Sequence, residues 1–165
     1  MGNPTCTPDG QWVVVNHPDG QFRPSLFKIS PAGVPVQLLA QRSFPSAVSP
    51  DGKQIGMVLS DAAGAGAQHL AVLPIEGGEP QVIARNIEFD NSFLRWTADG
   101  RAMAYVLTRQ GVSNIWRQPI AGGEPTQLTH FTSEVISDVH WTGNGDAWFS
   151  RGPVSRNVVL IGEAH

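Results

Sequence analysis

The sequence predicts an all-β chain built from consecutive four-stranded units, and three observations predict it. A short motif is written four times, as Cys6-Thr7-Pro8-Asp9-Gly10, Val48-Ser49-Pro50-Asp51-Gly52, Trp96-Thr97-Ala98-Asp99-Gly100 and Trp141-Thr142-Gly143-Asn144-Gly145. Its glycines, Gly10, Gly52, Gly100 and Gly145, lie 42, 48 and 45 residues apart. A second turn recurs in step, as Gly33-Val34-Pro35, Gly78-Glu79-Pro80 and Gly123-Glu124-Pro125. The 165 residues include 18 Gly and 13 Pro, a density that suits short strands joined by turns and argues against long helices. A period of about 40–50 residues with four strands per repeat is that of a β-propeller blade.

Each unit follows the same order. A short strand such as Ser92 to Trp96 leads into the Asp-Gly turn, which becomes Asn-Gly in the fourth copy. These pairs accept positive φ and signal a hairpin. A second strand follows: Trp12 to Val15, Gln54 to Leu59, Ala102 to Leu107 and Ala147 to Ser150. Three positions past the turn glycine stand Val13, Ile55, Met103 and Trp148, and four past it Val14, Gly56, Ala104 and Phe149. Both faces are apolar or small, as a strand packed between two neighbouring blades requires. Variable loops span His17 to Ser25, Asp61 to Gln68 and Thr108 to Asn114, and third strands begin at Leu26, Leu70 and Ile115. Beyond each Gly-x-Pro turn an apolar residue, Leu38, Ile83 or Leu128, is expected to anchor a fourth strand.

The last unit is shorter. After Ala147 to Ser150 a turn is expected at Arg151-Gly152-Pro153 and one more strand at Asn157 to Ile161. The expected architecture is a partial β-propeller of three complete four-stranded blades plus an incomplete fourth. The blades run over approximately 1–43, 44–88, 89–133 and 134–165. The expectation is the C-terminal part of a longer propeller, with the remaining blades or a second copy of the chain needed to close the ring. Open blade flanks expose apolar faces and strand edges.

Composition narrows the function classes. Hydrophobic residues make up 41% and charged residues 15%, with a net charge of −3 and no Lys/Arg run. Nothing in that balance suggests nucleic acid or an anionic membrane as partner. The single cysteine, Cys6, excludes an internal disulfide. No apolar run reaches the length of a membrane span, and the N-terminus has no basic-then-apolar signal. A complete product of this kind would be cytoplasmic by default.

Serine or threonine followed by Pro-Asp-Gly, an apolar strand and then a Gly-Gly-x-Pro turn resembles the PD40 (WD40-like) repeat of TolB-type β-propellers. The resemblance covers essentially the whole chain. Its last 25 residues resemble the ends of propellers in bacterial multidomain proteins, where the propeller follows a kinase or winged-helix domain. It implies a non-catalytic module for protein interaction or ligand sensing, periplasmic or extracytoplasmic if part of a longer TolB-like protein. The chain departs from the motif with Ala98 in the third copy and Gly143-Asn144-Gly145 in the fourth. The alternative is the propeller portion of a prolyl-oligopeptidase-type serine peptidase. Those enzymes carry their serine in Gly-x-Ser-x-Gly, a sequence that does not occur here.

No catalytic, cofactor or metal residue is expected. The turn residues Asp9, Gly10, Asp51, Gly52, Asp99, Gly100, Asn144 and Gly145 read as structural, since Asp and Asn hydrogen-bond their own turn backbone. On separate blades their side chains are expected to lie too far apart to share an ion. The five histidines lack zinc-ligand spacing, and the tryptophans read as inter-blade packing. A protein partner or small ligand would meet the variable loops. The richest is His17 to Pro24, where Phe22 and Arg23 form a candidate partner-binding pair.

Overall fold

The computed structural model describes residues 4–61, 67–88, 93–142 and 146–153. It contains fourteen strands among those residues, every pairing is antiparallel, and no described residue is helical. No helix is therefore long and apolar enough to cross a membrane.

The first sheet joins β1 (Thr5–Cys6), β2 (Val13–Pro18), β3 (Pro24–Ile29) and β4 (Val36–Gln41) in sequence order. The second repeats this with β5 (Ser43–Val48), β6 (Gln54–Ser60), β7 (Gln68–Pro74) and β8 (Gln81–Ile87). The third contains β9 (Leu94–Trp96), β10 (Ala102–Arg109), β11 (Val112–Pro119) and β12 (Thr126–Gln127). The fourth contains β13 (Val135–Trp141) and β14 (Ala147–Gly152).

Successive sheets pack face to face, and each joint has its own apolar cluster. Val14 and Leu26 of the first sheet meet Ile55, Met57 and Leu73 of the second. Val58, Leu70 and Val72 on the second sheet's other face meet Trp96, Met103 and Tyr105 of the third. Ala104, Val106 and Ile115 then meet Ile136 and Val139 of the fourth. A strand apolar on both faces is thus buried twice where its blade has two neighbours. Ile55, Gly56, Met103 and Ala104 are all buried. In the first sheet Val14 is fully buried, but Val13 on the open flank is only half-buried.

Several local expectations change. Positive φ falls on the glycines, 69° at Gly10, 74° at Gly52 and 66° at Gly100, and not on the preceding aspartates. The aspartate serves through its side chain instead. The loop expected at Thr108 to Asn114 is a two-residue hairpin, because Gln110 and Gly111 both take positive φ, 51° and 78°, and pairing continues to Arg109 and Val112. Leu38 and Leu128 are 45% and 43% exposed and anchor nothing, whereas Ile83 packs into the second joint. The first blade's outer strand is held by its neighbours Leu39 and Ala40. Arg151 and Gly152 continue β14, opposite Ile136 and Val135, and do not turn. The strand expected at Asn157 to Ile161 lies outside the described residues.

The fourth unit also changes register. Thr7, Ser49 and Thr97 close their turns onto the carbonyl five residues on, but the Thr142 N–H bonds the Asp146 carbonyl, four residues on, at 2.8 Å. Trp141 therefore pairs with Ala147, where Trp96 pairs with Met103. A one-residue shift exchanges the faces of a strand. Phe149 pairs with the buried Val139 and its ring lies 5.5 Å from Phe131, while Trp148 is 71% exposed. Trp148 is consequently not the counterpart of Val13, Ile55 and Met103.

Candidate functional site

Three of the four repeated turns share one hydrogen-bond relay. In the second blade the Ser49 hydroxyl donates to Asp51 Oδ1 at 2.6 Å, and the Lys53 N–H donates to the same oxygen at 3.0 Å. The Ser49 oxygen in turn accepts the Gln54 N–H at 2.9 Å. Thr7, Asp9, Gln11 and Trp12 repeat this arrangement, as do Thr97, Asp99, Arg101 and Ala102. Asn144 and Gly145 lie outside the described residues.

The relay lowers the pKa of all three aspartates. The hydroxyl donor (Thr7, Ser49 or Thr97) contributes most and the following backbone N–H next, against a smaller opposing effect of burial. A carboxyl group with a depressed folded pKa adds stability above its unfolded value, near pH 4. That contribution is lost as pH falls through the folded pKa. The thermal midpoint is therefore expected to drop on acidification below about pH 4. Asp51→Asn should make that acid limb shallower, which melts recorded between neutral and strongly acidic pH will check.

The turns of successive blades also touch. A methyl group added at Gly52 would come within 3.1 Å of the Pro8 ring, and one at Gly100 would meet the Pro50 ring at 3.8 Å. Asp51 and Asp99 both line the surface cleft between the second and third of these turns. No group of three metal-ligating side chains occurs among the described residues.

The loop between β2 and β3 is built around Asp19. Its Oδ1 accepts the N–H groups of Gln21 and Arg23 at 2.8 and 3.0 Å, and its Oδ2 accepts Arg23 Nε at 3.0 Å and Gln41 Nε2 at 3.3 Å. Burial raises the Asp19 pKa, but the N–H groups of Arg23 and Gln21 and the Arg23 guanidinium together hold it below its ordinary value. The Phe22 N–H bonds the Asp19 carbonyl at 2.9 Å. Phe22 itself sits at φ 59° and is 90% exposed. Arg23 does not stand free beside it, because its guanidinium is committed to Asp19 at 3.0 Å. Sequence reasoning passed over Asp19, although Pro18-Asp19-Gly20 carries the same Pro-Asp-Gly signal as the repeats.

Most histidines are peripheral. His17, His130 and His140 are exposed, and His69 bonds Asp61 at 2.9 Å. Trp12, Trp96 and Trp116 pack at blade joints.

Four stacked antiparallel sheets, met in chain order, define a partial β-propeller. Its solved counterparts include TolB from Acinetobacter baumannii, which superposes with a TM-score of 0.76 over 95% of this chain and 39% of its own, at 19% identity. A puromycin-hydrolyzing peptidase from Mycobacterium tuberculosis matches with a TM-score of 0.68, 17% identity, 90% of this chain and 27% of its own. An uncharacterized protein of Agrobacterium fabrum is 29% identical over 133 residues, 77% of this chain and 42% of that protein. The chain thus spans less than half the length of each of these three. No family model matches it, so PD40 remains a resemblance of the repeats. The fold is TolB-like.

Proposed function

We infer that this chain is a non-catalytic propeller module for protein interaction, with the Phe22 loop as its contact. The observation that carries this reading is the way Phe22 is held. A large aromatic residue at positive φ is a strained arrangement of about 1–3 kcal/mol, which persists only where the surroundings enforce it. Here the Asp19 cage enforces it and leaves the ring 90% exposed. A loop backbone already held in place lowers the ordering cost of binding, and the aromatic ring it presents suits an apolar pocket on a partner. Arg23 serves as scaffold. The remaining blades, or a second copy, would cover the open flank of the first blade.

A photo-crosslinking phenylalanine analogue at position 22, introduced in cells, tests this. A discrete protein adduct is expected, absent with the same analogue at the exposed Leu128. Phe22→Ala should weaken capture of that partner at least tenfold with no change in thermal midpoint. No adduct, or equal adducts at both positions, would refute the assignment of the loop.

The second reading, a peptidase propeller, is favoured by the 0.68 match to the puromycin-hydrolyzing enzyme. Labelling of the native polypeptide by a fluorophosphonate, which marks active serines, would turn the assignment to it.

A further inference from the structure

The first blade has one sheet face with no neighbouring sheet among the described residues, and the later blades show what such a face meets. Register across its strands sets Val13, Ile29 and Val36 in one row and Val15, Phe27 and Leu38 in the next. Five residues past the turn glycine stand Val15, Met57 and Tyr105. Six before Gly33, Gly77 and Gly122 stand Phe27, Ala71 and Trp116. Met57 and Ala71 are fully buried against the first blade. Tyr105 is 4% exposed against the second, with Trp116 packed beside it. Val15 and Phe27 hold the same positions but are only half-buried, and Val36 and Leu38 are 58% and 45% exposed.

None of the six side chains in these rows is polar, and a groove of about 400 Å³ runs over Val15, Phe27, Ile29 and Val36. A contiguous apolar face of this kind marks an interaction surface. Its natural complement is a second apolar sheet face, as in a β-sandwich. The fourth blade does not offer one. Its outward face carries Ser137, Asp138, His140 and Ser150, all exposed, around Trp148. The hydroxyls of Ser137 and Ser150 lie 2.8 Å apart, and His140 bonds Asp138 at 3.2 Å. Head-to-tail union of two copies would press Phe27 and its neighbours onto those polar groups and strip them of water without replacing its hydrogen bonds. Union through two first blades sets apolar surface against apolar surface, and Leu38 stands beside the groove of its own copy, where it can enter the groove of the other.

We propose that the open face of the first blade is a self-association surface, on which two copies of this chain pack first blade against first blade about a two-fold axis. Such a contact uses the same patch on both copies, so it closes at the dimer and does not propagate. It depends on the open flank of the partial propeller and not on the Phe22 loop.

Sedimentation velocity of the full chain over a concentration series tests it. A monomer–dimer equilibrium with no larger species is expected. Phe27→Asp should weaken dimerisation at least tenfold, and Leu38→Asp, at a more exposed position of the same row, gives the same readout if the first variant does not fold. Trp148→Asp, on the fourth blade, should leave dimerisation unchanged. A monomer at every concentration up to the solubility limit, growth beyond the dimer, a loss in Trp148→Asp equal to that in Phe27→Asp, or undiminished association in both first-blade variants overturns the proposal.

Discussion

Trp96→Ala is expected to destabilise the protein by about 3–5 kcal/mol, the range for truncating a buried aromatic side chain. Trp96 is 6% exposed at the joint between the second and third blades, among Val58, Leu70 and Met103. Its Nε1–H donates to the Ala47 carbonyl of β5 at 2.8 Å, so one side chain supplies both packing and a polar tie across two sheets. Gly56 is the other half of this fit. A Cβ there would overlap the Met103 methyl and come within 3.2 Å of the indole nitrogen. Trp96→Phe separates the two contributions. It keeps most of the apolar area but leaves the Ala47 oxygen unpaired, so about 1–3 kcal/mol is expected. Urea denaturation of both variants checks the order. In a chain of repeats each blade is stabilised chiefly through its neighbours. A loss at this joint should therefore also lower the cooperativity of unfolding.

Lys28→Ala is expected to cost about 3–5 kcal/mol, because it leaves the buried Ile75 carbonyl without its donor and empties the space that the aliphatic stem fills. Lys28 is 1% exposed on β3, between the first two blades. Its Nζ donates to the Ile75 carbonyl at 2.9 Å and to Glu76 Oε2 at 3.3 Å, and lies 4.3 Å from the Trp12 ring centre. These contacts are not equal. The Glu76 side chain is 81% exposed, so its charge is screened and Glu76→Gln should cost under about 1 kcal/mol. The buried bond to Ile75 and the packing of the aliphatic stem account for the rest. Lys28→Met retains the stem and should fall between the two, again by urea denaturation. A loss in Glu76→Gln equal to that in Lys28→Ala would show that the ion pair dominates.

The blades were legible because their signals are local. Ser49, Asp51, Lys53 and Gln54 satisfy one another within six residues, so the turn can be read from a single line of sequence. The Gly-x-Pro turns are similarly self-contained. The candidate loop was half legible. Phe22 and Arg23 stood out as aromatic and cation, but Arg23 proved to be bonded within the loop and Asp19 to organise it.

Turn chemistry and strand alternation, both set by residues adjacent in the chain, determined by themselves that this protein is a run of antiparallel blades, the first three of them four-stranded. Tertiary structure decided which apolar faces are used. Ile55 and Gly56 are sealed because the second blade has two neighbours, whereas Trp148 points outward because a turn closed one residue early. Burial of Lys28 likewise depends on a carbonyl 47 residues away. Such contacts arise between sheets, where a side chain meets whatever the neighbouring blade presents, and alternation along one strand carries no record of that.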